Sequence, residues 1–255
     1  MIIFLKKAFR SVYYAVVEGR HTTLSFPVEL RGKKWILSRR AGLSYNSGHY
    51  EPVVQEVLRA NLNPGDVFWD VGAHVGYFSL LAHYLVKGGQ VVSFEPHPDN
   101  FAFLTAIHSL NGSDSNWKMR NAALGHDNAL LRFSEGGSST TGRLSPTGSM
   151  EVQCLCGDTV WQEEGSGEVT LIKIDVEGAA GSVLRGMRKL LAAIKPTLLI
   201  EMHSETEARQ VLSSLPAEYL NIPSQPTLNS FLLADKSHAL LKARLRSGAM
   251  TSSVE

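Results

Sequence analysis

Alternating strand-like and helix-like stretches from Asn63 onward predict a doubly wound α/β fold around a mainly parallel, seven-stranded sheet. Two further features support it: a glycine-bearing turn between the first strand and the first helix, and a carboxylate closing the next strand. Val67-Phe68-Trp69-Asp70-Val71 reads as the first strand, entered through the turn signal Asn63-Pro64-Gly65-Asp66. Apolar positions from Gly76 to Lys87 fill a helix that Gly88-Gly89 stops, and Gln90 to Glu95 is the next strand. Pro98 opens a helix to about Leu110, with Asp99 beside the positive end of its dipole. Strand patterns follow at Trp117 to Leu124, Ala129 to Phe133 and Val152 to Cys156. Between the last two, Ser134 to Ser149 is rich in Gly, Ser and Thr and reads as a mobile loop, either the cover of a site or a plain surface excursion. Val169 to Asp175, interrupted by Lys173, and Thr197 to Met202 are apolar enough to be buried strands. Between them a helix spans Ser182 to Ala193 and ends before Pro196. A helix at Glu205 to Leu215 and a late strand at Phe231 to Ala234 complete the sheet.

The chain divides into an N-terminal extension, a main domain and a tail. Residues 1–62 hold a hairpin over Leu24 to Leu37, turning at Arg31-Gly32, and a helix from about Pro52 to Ala60. Residues 63–242 form the ligand-binding domain, and residues 243–255 are a polar, frayed tail. At 255 residues, 44% hydrophobic and 19% charged, the chain suits one folded main domain and leaves no room for two full catalytic ones. Its 25 basic and 24 acidic residues are interspersed, so the electrostatic footprint of a nucleic-acid partner is absent. Cys154 and Cys156 are spaced poorly for a disulfide and lack the further ligands of a zinc site, which fits a reducing, cytoplasmic setting. At the N-terminus Ile2-Ile3-Phe4-Leu5 precedes Lys6, Lys7 and Arg10, the reverse of a secretory signal, and nothing is long enough to span a bilayer. This segment packs on its own domain or on a partner subunit; contact with a membrane surface is the alternative, and the oligomeric state is left open.

Asp70-Val71-Gly72-Ala73-His74-Val75-Gly76 carries the most chemical information. Its glycines allow a tight turn and close ligand approach, and the helix that follows offers unpaired N–H groups. Glu95, at the end of the next strand, stands where a carboxylate accepts hydrogen bonds from both ribose hydroxyls. A nicotinamide-binding turn has glycine where this chain has Asp70, and a carboxylate there repels a pyrophosphate. It suits S-adenosylmethionine instead, whose sulfonium and ammonium are cationic. A nicotinamide-dependent oxidoreductase and a catalytically silent binding or scaffold protein are the competing readings.

Asp70-Val-Gly-Ala-His-Val-Gly76, Phe94-Glu95-Pro96, Ile174-Asp175-Val176-Glu177-Gly178 and Leu199-Ile200-Glu201-Met202-His203, in this order, resemble the FkbM-type methyltransferases from about Tyr50 to His203. The resemblance implies a class I methyltransferase fold, S-adenosylmethionine as donor, and O-methylation of a hydroxyl on a sugar, glycan or natural product. Two positions depart from the family pattern: His74 stands where Asn is usual, and Ala180 where Glu is usual.

Donor binding is then expected of Asp70, Gly72, Ala73, His74, Gly76, Glu95 and Pro96, of Asn121 and Ala122, with Ala123 beside them, near the adenine, and of Asp175. Methyl transfer is an in-line displacement at an activated carbon, so the protein need only align the acceptor and take its proton. Asp175, Glu177, Glu201 and His203 lie at the C-terminal ends of neighbouring strands, where ligands sit in open α/β sheets. His203 is the candidate general base because its ordinary pKa is near neutral, with Asp175 and Glu201 as catalytic partners. The same residues also have the ligand types for a divalent ion such as Mg²⁺, although a metal-free acid–base cluster is the favoured reading. Lys173 is a neutralising partner for these carboxylates. Asn100 supports Glu95 or is a plain helix-surface residue; Tyr50 and Glu51 close over the donor, or Glu51 caps a helix.

Overall fold

The computed structural model describes residues 17–40, 45, 50–134, 143–144, 147–220 and 238–242. The N-terminal extension pairs β1 (His21–Thr23) antiparallel with β2 (Lys34–Ile36) across a 3₁₀ turn at Val28–Leu30. Helix α1 (Pro52–Asn61) follows, with Pro52 in its first turn, where a missing N–H costs nothing. The rest alternates β3 (Val67–Val71), α2 (Tyr77–Val86), β4 (Gln90–Phe94), α3 (Pro98–Leu110) and β5 (Trp117–Arg120). Then come β6 (Ala123–Gly125), β7 (Ala129–Ser134), β8 (Arg143–Leu144), β9 (Met150–Cys156) and α4 (Gly157–Glu163). The chain continues through β10 (Leu171–Ile174), α5 (Ala180–Arg185), α6 (Arg188–Ile194), β11 (Thr197–Glu201), α7 (Glu205–Ser214), α8 (Ala217–Leu220) and β12 (His238–Leu241).

The central sheet has the order β12-β11-β10-β3-β4-β5, parallel except for β12. Both faces are covered, and alternation along each strand decides which side chain meets which layer. Phe68, Val91, Leu171 and Leu199 face a core shared with α2, α3 and Trp35. Trp69, Val71, Val92, Phe94, Ile172, Ile174, Leu198 and Ile200 face the opposite core, with Leu184, Leu190 and Val211. The same alternation turns Asp70 and Lys173 away from the Trp69 side; they are opposite each other in the β3–β10 register, beneath Phe78 and Ser79 of α2.

Several elements differ from the sequence reading. Six strands make up this sheet among the described residues, where seven were expected, and Phe231 to Ala234 lies outside the described residues. The antiparallel edge is instead His238–Leu241. The expected strand from Trp117 to Leu124 is two: β5 stays in the central sheet, while β6 joins β9, β7 and β8 in a separate four-stranded sheet. The expected helix from Ser182 to Ala193 breaks at Gly186-Met187 into α5 and α6. A Cβ at Gly186 would sit 1.9 Å from the Gly125 carbonyl oxygen, so the break coincides with a backbone contact that only glycine permits. Helix α4 was not foreseen, and Arg143–Leu144 pairs with β7 inside the expected loop; the remainder of 135–146 lies outside the described residues, as do the N-terminal segment and residues 243–255. Among the described residues no helix is long and apolar enough to cross a membrane. Cys154 and Cys156 are free thiols.

Candidate active site

The C-terminal ends of β11, β10, β3 and β4 open into one cavity of about 400 Å³. From β3 come Val71, Gly72 and His74; from β4 come Phe94, Glu95 and Pro96. Asp175, Val176, Glu177 and Ala179 follow β10, and Glu201 and His203 end β11. Ala123, Leu124 and Phe133 enter from the second sheet, and Tyr50 and Glu51 from the extension. The strand order thus lays the lining out in sequence, an apolar wall beyond β4 and a carboxylate-rich wall beyond β10.

Gly72 is at φ +83°, and a Cβ there would lie 1.9 Å from the Asp175 carbonyl oxygen. The turn after β3 therefore passes so close to the turn after β10 that no side chain fits between them. His74 is also left-handed, at φ 51°, a conformation that Asn, Asp and His enter more readily than other side chains. Histidine in place of the asparagine usual in FkbM-type sequences thus keeps the backbone geometry. The His74 Nδ1 is 3.3 Å from the Tyr45 hydroxyl. Burial holds this ring down to about 4, so it is neutral at physiological pH.

Glu95 is 5% exposed and is gripped by backbone: the N–H groups of His74 and His97 donate to its two oxygens at 2.8 and 2.9 Å. Asn100 adds a long contact of 3.4 Å and is itself held by Arg40 at 2.9 Å, which settles its role as support for Glu95. Burial raises the Glu95 pKa, and the donated hydrogen bonds oppose that rise. These three hydrogen bonds leave one of the carboxylate's roughly four lone-pair positions, on the oxygen that accepts from His74, for a further donor.

At the other wall, the Lys173 ammonium is 3.2 Å from Asp175 and 3.7 Å from Asp70. Burial pushes this lysine down, but the surrounding carboxylates outweigh it and raise its pKa, so it is charged. Burial likewise pushes Asp175 up, yet Lys173 and His203 bring it below the usual carboxylate range. His203 Nε2 is 3.6 Å from Asp175, 3.7 Å from Glu177 and 4.0 Å from Glu201, and Nδ1 is 3.4 Å from Glu207. The Glu207 contact, and then these acids, lift the imidazole against burial to about 9. Glu201 is raised to about 8 by burial and by Asp175, and it lies 3.6 Å from His238 of β12.

Several residues expected to contact the donor lie outside the cavity lining. Asp70 is fully buried and does not line the cavity: it accepts from Ser79 at 2.6 Å and pairs with Lys173, because strand alternation turns it under α2. Ala73 and Gly76 also lie outside the lining, Gly76 being packed against Leu104. Asn121 braces the wall from behind, donating to the carbonyls of Glu95 and Pro96 at 2.8 and 3.2 Å. Ala122 is buried, and of the segment Asn121-Ala122-Ala123 it is Ala123 that lines the cavity, with Leu124 after it. Gly72, His74, Glu95, Pro96, Asp175, Glu201 and His203 line the one cavity together. Glu207 and His238 were missed; Ser204-x-x-Glu207 directly after His203 is a capping-box spacing that signals a fixed carboxylate there.

The ligand atoms of Asp175, Glu201 and His203 lie within 4.8 Å of one another, as do those of Glu51, Glu201 and His238. In the first group Lys173 lies 3.2 Å from Asp175 and Glu207 lies 3.4 Å from the Nδ1 of His203.

The model of the methyltransferase FkbM domain matches residues 70–234. The chain is 29% identical over 169 residues to the hexuronic acid methyltransferase AglP of Haloferax volcanii, covering 63% of this chain and 67% of that one. It is 53% identical over 45 residues to the 31-O-demethyl-FK506 methyltransferase FkbM of Streptomyces tacrolimicus, a stretch that is 18% of this chain and 17% of the relative. The solved structure of the methyltransferase FkbM from Methylobacillus flagellatus superposes with a TM-score of 0.48 at 18% identity, over 80% of this chain and 56% of that one. The chain therefore spans just over half the length of that solved relative. With the family model covering most of the chain, this protein belongs to the FkbM methyltransferase family, whose activity class is S-adenosylmethionine-dependent methyl transfer.

Proposed function

We propose that the protein passes the methyl group of S-adenosylmethionine to a hydroxyl of a small-molecule or glycan acceptor, most simply a sugar. The observation that carries this is the two-walled cavity: Glu95 beside apolar Pro96, Ala123, Leu124 and Phe133 on one side, and the Asp175–Glu201–His203 cluster on the other. The first wall suits an adenosine, with a ribose hydroxyl donating to Glu95 while the adenine meets apolar surface. The negative charge of the second wall suits the sulfonium and ammonium of the donor. Tyr50 borders the cavity from the extension, its ring packed against Tyr45 at a centroid distance of 4.1 Å. The named substrate of one relative, a hexuronic acid, supports a sugar acceptor, and that of the other, a molecule lacking a methyl group on oxygen, supports an oxygen acceptor.

His203 takes the hydroxyl proton as oxygen attacks the methyl carbon and the C–S bond breaks, releasing S-adenosylhomocysteine. Nε2 carries this role because it faces the cavity acids, while Nδ1 faces Glu207. Asp175, held by Lys173, stays ionised and stabilises the imidazolium that forms. Residues 63–242 contain this whole site except the wall supplied by Tyr50 and Glu51.

The test is calorimetry followed by turnover on a panel of glycosides. S-adenosylmethionine should bind and NAD should not, and His203→Ala should keep donor affinity while losing about a hundredfold or more in turnover. Absence of heat with the methyl donor, or full turnover in His203→Ala, overturns the corresponding half of the reading.

A further inference from the structure

Glu207 lies outside the cavity lining, yet its carboxylate is held in place by backbone on two sides. It is 2% exposed, on the first turn of α7. Oε1 accepts from the Ala180 N–H at 3.1 Å, and Oε2 accepts from the His203 N–H at 3.0 Å. The backbone N–H of Glu207 donates in turn to Ser204 Oγ at 3.1 Å, which caps the helix. The acid is therefore fixed by three elements at once, α5, α7 and the end of β11, independently of where the imidazole points. Against this fixed group the His203 ring presents Nδ1 at 3.4 Å and leaves Nε2 towards Asp175, Glu177 and Glu201.

We propose that Glu207 is a positioning residue for methyl transfer: it takes the Nδ1 hydrogen of His203, fixing the tautomer so that the Nε2 lone pair is the one offered to the acceptor hydroxyl. This rests on the reading of His203 as the base. A carboxylate on one ring nitrogen makes the other a stronger base, because the imidazolium formed on proton uptake is stabilised in place. Helix capping alone does not account for the arrangement. Ser204 already satisfies the helix, and the two backbone N–H groups need an acceptor but no charge. The groups facing the imidazole are Asp175 and Glu177 from the turn after β10, Glu201 from β11 and Glu207 from α7; Lys173 and His238 act only through Asp175 and Glu201.

The test is nuclear magnetic resonance titration of ring-labelled histidine in the full chain, with thermal melting as the check on folding. In the unaltered protein the His203 resonance should titrate near 9 and the neutral ring should show the Nδ1–H pattern. In Glu207→Gln, which keeps the shape and an acceptor oxygen, the midpoint should fall by a unit or more and the neutral ring should show mixed tautomers. In Glu207→Asp, which keeps the charge but withdraws it by a methylene, the midpoint should fall by less. Donor affinity should change less than threefold in both. A His203 midpoint and tautomer unchanged in Glu207→Gln overturn the proposal; should that variant not fold, an unchanged titration in Glu207→Asp does so. Neither result depends on turnover, so full activity in His203→Ala would sink the base assignment separately.

Discussion

Lys173 stands directly opposite Asp70 in the register of β10 and β3, with its ammonium between that carboxylate and Asp175. The lysine is 2% exposed and Asp70 is fully buried, so one cation holds two acids that water scarcely reaches. Asp70, the leading residue of the glycine turn, thereby acts on the site through Lys173.

Lys173→Met should be strongly destabilising. It removes the charge that Asp70 and Asp175 share and strands a buried carboxylate, a loss on the order of 3–5 kcal/mol. Urea unfolding should show the fall in midpoint, and Asp70→Asn in the same background should recover part of it. A Lys173→Met protein as stable as the parent contradicts the pairing.

Glu95→Ala should weaken S-adenosylmethionine binding about ten- to hundredfold, the range expected for losing hydrogen bonds to a charged acceptor. The same change frees the His74 and His97 N–H groups, so the turn beside the donor should also loosen. Calorimetry measures the affinity, and Asp70→Asn is the contrast, since it does not line the cavity and should cost less at equal folding.

Gly72→Ala should abolish donor binding before it abolishes folding. The new methyl would meet the Asp175 carbonyl at 1.9 Å in a left-handed backbone, so the two turns must part. Loss of the donor-induced rise in melting temperature, with an intact melting transition, is the expected signature.

Stability and activity should respond to alkali in opposite directions. Folding raises His203 from 6.5 to about 9, so its contribution is full below pH 6.5 and is lost as pH rises through 9. Glu201 is raised from 4.5 to about 8, so the folded state loses stability across that span too, as this buried acid is forced to ionise. Turnover needs the unprotonated imidazole and should climb until about pH 9. Urea midpoints and rates measured over the same pH series check both slopes; a stability that rises from pH 6 to 9 would refute the assignment.

Turnover should also survive a chelator. Lys173 and Glu207 already engage two of the three groups in the Asp175–Glu201–His203 cluster. Activity lost with EDTA and restored by Mg²⁺ would instead make that cluster a metal centre.

Much of this architecture is legible in the sequence, because local signals and tertiary structure agree there. Val67–Val71 and Pro98–Leu110 fall where the turn residues and proline place them. Glu95 can be found because a strand end dictates its position. The failures come from information that is not local. Whether Asp70 faces a ligand or a helix depends on which face of β3 lies under α2, and that is fixed by Phe68 and Trp69 choosing opposite cores. The chain leaves the central sheet at Asn121 without a proline or glycine to mark the exit, so the sequence does not tell which of Asn121, Ala122 and Ala123 lines the cavity. His238 reaches Glu201 from a distant segment, and spacing along the chain carries no record of that approach, whereas Glu207 is legible in its capping-box spacing four residues after His203.

Behind the site, the Trp117 indole N–H donates to Ser93 Oγ at 2.8 Å, Ser93 to Ser79 at 2.7 Å, and Ser79 to Asp70 at 2.6 Å. An indole can only give a hydrogen and a carboxylate can only receive one, so both hydroxyls between them have a single permitted orientation. Reversing either would set two hydrogens face to face in a dry interior. The outermost strand is thus coupled to the charge state of Asp70, and a neutral side chain there would be felt two strands away, as a rotation of serines that never meet the substrate.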